Sequence, residues 1–164
     1  MPAEDSDTGS PTGELAEAVG RAALAGDVTI VAAESLTSGA IAATLGQADD
    51  ASTWFTGSVV AYSTEMKQLV LGLEPGPVIN EVAARQMAQG ALEATRASVV
   101  VAVTGVGGPG PQEGHPAGTV FLACGSGRDG IDVHELHLEG DPAQVVDRTV
   151  HAALSALLRE LGAG

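Results

Sequence analysis

The chain has 164 residues, the length of one globular domain that can bury roughly 70% of its unfolded surface without disulfides or a structural metal. Its 21 acidic side chains against 7 basic ones give a net charge of −14, which repels phosphate backbones and anionic lipid, so neither nucleic acid nor a membrane is expected as a partner. Hydrophobic residues reach 45% but aromatics only 2%, so the core has to be built from Ala, Val and Leu.

Residues 1–12, MPAEDSDTGSPT, are acidic and small and are expected to form a disordered tail, with the folded domain spanning 13–162. From Gly13 the pattern turns helical, with Leu15, Val19, Ala22 and Ala23 on one face and Gly26 at the stop. Val28–Ala33 is a short apolar run and predicts a buried strand, followed by Glu34-Ser35-Leu36-Thr37-Ser38-Gly39 and a helix over Ala40–Leu45. After a polar connection, 46–52, Gly57–Tyr62 predicts a second strand. A helix follows from Ser63, a candidate N-cap, to about Leu71. Asn80 caps a long helix with an alanine-rich inner face ending near Arg96. Ser98–Val103 is the clearest buried strand; it enters a glycine- and proline-rich loop, Thr104–Gly118, and leaves it into a strand over Thr119–Cys124. In Asp132–Leu138, read as a strand, the apolar phase slips between Val133 and Leu136, which predicts a bulge or a twist there. An amphipathic helix over Asp141–Leu161 closes the chain. Strands alternating with helices predict an α/β fold, a single-domain three-layer α/β/α sandwich with a largely parallel, mixed sheet.

The one cysteine, Cys124, excludes an internal disulfide and a multi-cysteine metal site, and its apolar neighbours place it in the core. No apolar run approaches the ~20 residues of a membrane span and no basic-then-apolar leader opens the chain, so a cytoplasmic location is expected. Trp54 and Phe55 are candidates either for core burial or for a subunit contact in a homo-oligomer.

Ligands of such sheets gather at the carboxyl ends of strands, where two segments stand out. Ser35 sits in a strand-to-helix turn, where helix-initiating N–H groups can hold an anion or a developing oxyanion; the same serine could equally be a simple cap. A serine nucleophile needs a base. His115, His134, His137 and His151 each lack a neighbouring hydroxyl with an orienting carboxylate, and His134 and His137, three apart in a strand, face opposite sides. Lys67 is the chain's only lysine, five residues after its only tyrosine, Tyr62. Every other basic residue is arginine, which cannot lose its proton; a buried lysine can, and serine–lysine pairs do serve as nucleophile and base. The glycine-rich loop TGVGGPGPQEGHPAGT matches neither a Walker loop nor a dinucleotide fingerprint, and its glycines allow close backbone approach to a small polar ligand.

The order AESLTSG, WFTGSVVAYSTEMK, VTGVGGPG, PAGTV and a Gly-Asp pair before the last helix resembles the C-terminal domain of the competence/damage-inducible protein CinA, from about Leu15 to Leu158. Stand-alone members of that family are nicotinamide-nucleotide amidohydrolases. The resemblance implies hydrolysis of the carboxamide of nicotinamide mononucleotide to nicotinate mononucleotide and ammonia, with no metal and no cofactor. It implies Ser35 as nucleophile, Lys67 as base, and Tyr62 orienting the lysine or serving the leaving ammonia. It further implies Thr37, Ser38 and Gly39 around the oxyanion, and Thr104, Gly105, Gly108, Pro109, Gly118 and Thr119 around the nucleotide. Leu36 stands where the family carries a cysteine, Ser38 where it carries a glycine, and 110–115 lacks its Asp-Gly-Gly run. Where family members carry arginines after the Gly-Asp pair and into the last helix, this chain has Pro142, Val146 and Asp147; Arg148, the nearest cation, is the substrate-binding candidate that would take their place. Two alternatives therefore stand beside the mononucleotide: another small, unphosphorylated amide, or a non-catalytic ligand- or partner-binding module.

Overall fold

The computed structural model describes residues 10–162, in the order α1 (Pro11–Gly26), β1 (Ile30–Glu34), α2 (Ala40–Gly46), α3 (Ala51–Trp54), β2 (Phe55–Val60), α4 (Thr64–Leu71), α5 (Glu81–Thr95), β3 (Val99–Gly105), β4 (Thr119–Ser126), β5 (Gly130–His137) and α6 (Pro142–Glu160). The strands form one five-stranded mixed sheet in the order β2-β1-β3-β4-β5. β1 pairs parallel with β2 and β3, whereas β4 runs antiparallel to both of its neighbours. Four strands thus point one way and β4 points against them.

Alternation along the central strands builds two cores. Ile30, Ala32, Val99, Val101 and Val103 face α1, α2 and α6, where they share a core with Ile41, Leu45 and Leu154. Val31, Ala33, Val100 and Ala102 face the other way, onto Ala83, Ala84, Met87, Ala88 and Ala91 of α5. Small side chains let helices come close. At Gly90 of α5 a Cβ would lie 2.0 Å from the carbonyl oxygen of Leu71, so this glycine seats the end of α4 directly on α5.

The caps expected at Ser63 and Asn80 are present: their side chains accept from Met66 N and Ala83 N. Three local expectations are corrected. Residues 10–12 are not tail, because the Ser10 side chain accepts from Gly13 N and Pro11 occupies the first turn of α1, where proline's fixed φ suits a helix start. The rest of the proposed tail, 1–9, lies outside the described residues. The polar connection before Trp54 contains the short helix α3, and Trp54 itself is buried in the core with its indole N–H on Asp49 O. β5 carries no bulge: Gly130 through His137 pair with β4 without a break. Its apolar phase slips because Ile131 and Val133 pack towards α5 while Leu136 packs towards the opposite core. This edge strand is covered on one face at its start and on the other at its end.

Candidate active site

β1 lies between β2 and β3, and its chain leaves towards one edge of the sheet while that of β3 leaves towards the other. A crevice opens at such a switch point. Here a cavity of about 520 Å³ sits over the carboxyl ends of β1 and β3 and the start of α4. Ser35, Tyr62, Lys67, Thr104, Gly105 and Gly108 line it, so the serine turn, the tyrosine–lysine segment and the glycine-rich loop converge on one space.

Ser35 immediately follows β1 and is 7% exposed. Its turn is held by Glu34, a residue that no local sequence pattern marks. Glu34 is completely buried, and its carboxylate accepts from Thr37 Oγ1 (2.8 Å), Ile41 N (2.9 Å), Ala42 N (3.1 Å) and Ser58 Oγ (2.7 Å). One side chain thus joins the end of β1, the start of α2 and the neighbouring strand β2. It also takes two of the amides that open α2. Helix-initiating amides normally lack partners, which is why the sequence suggested them for an oxyanion; here Ile41 and Ala42 are already occupied from inside. Thr37 is bonded to Glu34, and Ser38 and Gly39 carry the positive-φ turn into α2; none of the three lines the cavity.

Other donors remain. Leu36, Gly107, Gly108 and Gly110 border the cavity, and their main-chain N–H groups donate to no protein acceptor among the described residues.

Lys67 is 2% exposed although it is a lysine, and its Nζ donates to the carbonyl of Tyr62 at 2.9 Å. Burial pushes its pKa below the ordinary lysine value, against the opposing pull of Glu113. Ser35 and Lys67 border the same cavity without a direct hydrogen bond between them. Tyr62, by contrast, is 69% exposed.

The remaining wall comes from two loops. Thr104 Oγ1 donates to Val78 O at 2.7 Å, tying the end of β3 to the segment before α5. Gly118 and Thr119 do not line the cavity; they close the base of the glycine-rich loop, with Gly118 N on Val106 O. Gly118 has φ +88°, and a Cβ there would lie 1.8 Å from Leu138 O, so the position admits glycine only. Pro109 lies outside the lining as well. Pro142 and Val146 of α6 do line the cavity. Arg148 instead donates to Glu139 O and borders a separate surface depression beside Pro11 and Thr44. Lys67 is therefore the only charged side chain lining this cavity among the described residues.

None of the four histidines lines it. His115 packs edge-on against Phe121 at a centroid distance of 5.7 Å, and His137 pairs with Glu135 at 3.4 Å. Cys124 is buried, and desolvation pushes its thiol up to about 12, which leaves it unreactive at neutral pH. No group of three or more potential metal ligands occurs among the described residues.

The family model of the CinA C-terminal domain matches residues 12–161. The chain belongs to the CinA C-terminal domain family. A putative competence-damage inducible protein of Lacticaseibacillus casei is 35% identical over 154 residues, covering 91% of this chain and 37% of that protein. One from Shouchella clausii is 39% identical over 142 residues, covering 84% of this chain and 34% of its own length. The chain thus spans about a third of the curated relatives it matches. Among solved structures, a CinA superfamily protein from Klebsiella pneumoniae superposes with a TM-score of 0.89 at 32% identity, covering 93% of this chain and 99% of that one. A CinA superfamily protein from Escherichia coli gives 0.87 at 30% identity, covering 90% and 89%. The CinA fold accounts for almost the whole described chain, and no helix in it is long and apolar enough to cross a membrane.

Proposed function

We propose that this CinA-family domain is an amidohydrolase that uses Ser35 as nucleophile and Lys67 as general base, with nicotinamide mononucleotide as substrate. The observation that carries the reading is Lys67: the chain's one lysine, buried to 2% exposure, with its pKa lowered, in the cavity that Ser35 borders. A neutral amine there takes the proton of Ser35 Oγ as the oxygen attacks the carboxamide carbon. The unbonded amides of Leu36, Gly107 and Gly108 are the donors available to the developing oxyanion. When the C–N bond breaks, the Lys67 ammonium returns its proton to the leaving nitrogen, which departs as ammonia. Water then adds to the Ser35 ester, again giving its proton to Lys67; the C–O bond breaks, Oγ recovers a proton, and the carboxylic acid leaves. The choice of a pyridine mononucleotide is supported by the family resemblance.

A specific observation favours a second substrate reading. Pro142 and Val146 line the cavity, and Lys67, which must be neutral to act as base, is its only ionisable cation among the described residues. An unphosphorylated carboxamide would meet no missing counter-charge there.

Ammonia release from the mononucleotide, the riboside and free nicotinamide tests both readings, with Ser35→Ala as control. Release from the mononucleotide that Ser35→Ala lowers by at least ~10³-fold supports the main reading. Release from the riboside or base alone moves the assignment to a neutral amide. Binding without turnover, unchanged by Ser35→Ala, would leave only a ligand-binding module.

A further inference from the structure

Outside the catalytic pair, the most unusual construction at the cavity is a single exposed carboxylate. Glu113 belongs to a turn closed by two backbone bonds, Gln112 N on His115 O at 3.0 Å and His115 N on Gln112 O at 2.8 Å. The turn is seated on β4 through the His115–Phe121 contact. Glu113 itself has φ +49° and Gly114 φ +79°. Glycine or asparagine suits such a site better than a longer side chain, so a glutamate there is a local conformational cost. What offsets it is visible across the cavity rim. Glu113 Oε1 accepts from Val78 N at 2.9 Å and Oε2 accepts from Ile79 N at 2.7 Å. Val78, Ile79, Pro111 and Gln112 all line the cavity, so the carboxylate joins its two loop walls. Thr104 makes a parallel tie to the same segment through Val78 O.

We infer that Glu113 is a positioning residue of the site: it latches the glycine-rich loop onto Val78–Ile79 and fixes the width of the substrate cavity. The inference rests on the amidohydrolase reading for its kinetic part only. The other ionisable groups around Lys67 are differently engaged. Glu34, at the end of β1, turns into α2; Glu65 of α4 is exposed; Arg85 of α5 is bonded to Ile131 O and Glu81; and Tyr62 offers its carbonyl. Glu113 is the one carboxylate whose charge pulls against the desolvation of Lys67.

The single lysine makes the test clean. In the full chain labelled at lysine with ¹³C and ¹⁵N, one side-chain signal reports the titration of Lys67 without any turnover. Hydrogen exchange at the Val78 and Ile79 amides reports the latch, and ammonia release gives KM and kcat. In Glu113→Ala, exchange at those two amides should speed up at least ~10-fold and the Lys67 midpoint should fall. KM should rise roughly 10- to 100-fold, the loss expected for charge-assisted hydrogen bonds, with kcat changing less. Glu113→Gln keeps one acceptor oxygen, so it should recover part of the exchange protection and of KM while leaving the Lys67 midpoint lowered. It also serves where alanine impairs folding. Unchanged exchange in either folded variant overturns the latch. Faster exchange with an unmoved Lys67 midpoint and unmoved KM reduces Glu113 to a structural tie and overturns positioning. An inactive wild-type chain would sink the amidohydrolase reading, and exchange and titration would still decide the latch.

Discussion

The Nζ of Lys67 donates to the main-chain carbonyl of Tyr62, not to its phenol, while Tyr62 itself stands mostly in solvent. The chain's only lysine is thus oriented by the backbone of its only tyrosine, and any side chain at position 62 could supply that carbonyl. Tyr62→Phe should therefore leave ammonia release within about 3-fold of wild type, because it removes no bond that holds Lys67. A loss above roughly 100-fold would assign the phenol a direct role at the leaving nitrogen.

Under the proposed mechanism Lys67 sets function against stability. Its folded-state pKa is depressed, so folding favours the uncharged amine; the charged form costs stability at low and neutral pH, and the cost fades as pH rises towards the unfolded value of about 10.4. Lys67→Met should abolish turnover and stabilise the fold by about 1–3 kcal/mol near pH 7, with a smaller gain at about pH 10. Lys67→Arg should be as inactive as Lys67→Met, since a guanidinium cannot give up its proton. Paired melting curves and ammonia assays check both; activity in Lys67→Arg would remove the lysine from the mechanism.

Glu34 should be the least replaceable polar residue of the molecule. Its two oxygens accept four donors, and an amide in its place would turn an N–H₂ towards at least one of them. Glu34→Gln should cost about 2–4 kcal/mol, or roughly 5–15 °C in Tm for a domain of this size, and should lower turnover by loosening the Ser35 turn. Equal melting temperatures would show that the four bonds are replaceable by water.

Substrate choice should follow α6. Val146→Arg places a guanidinium at a cavity-lining position, one helical turn from Pro142. The ratio of kcat/KM for nicotinamide mononucleotide over the riboside should rise roughly 10- to 100-fold, as expected for one charge-assisted phosphate contact. A ratio that stays put would show that the phosphate lies away from Val146.

How much of this could be seen in the bare sequence depends on what each residue reveals by type. The α/β alternation was legible because β-branched runs such as Val99–Val103 have no other stable home. Ser35 and Lys67 stood out as a turn serine and as a singleton. The direction of β4 was not legible, since a strand buried on both faces carries the same apolar string whichever way it runs. Glu34 looked like an ordinary acid before a serine; its importance comes from Ser58, 24 residues away, and from helix amides that no local pattern identifies. Glu113 was hidden for the same reason, its partners Ile79 and Val78 lying 34 and 35 positions upstream. Arg148 shows the converse: proximity in sequence offers it in place of the family's arginines, whereas in the fold it is bonded to Glu139 O and borders a depression other than the cavity.

The reversal of β4 has a consequence for how such a domain can diversify. Because β3 and β4 pair antiparallel up to Gly105 and Val120, the glycine-rich segment is the tip of a hairpin whose two stems are locked side by side. Residues inserted into or deleted from that tip alter the rim of the cavity without shifting either stem, whereas a change of length between β1 and α2 would move Ser35 itself. Descent with modification can therefore rework the cavity rim on one stretch of chain and leave Ser35 and Lys67 where they are.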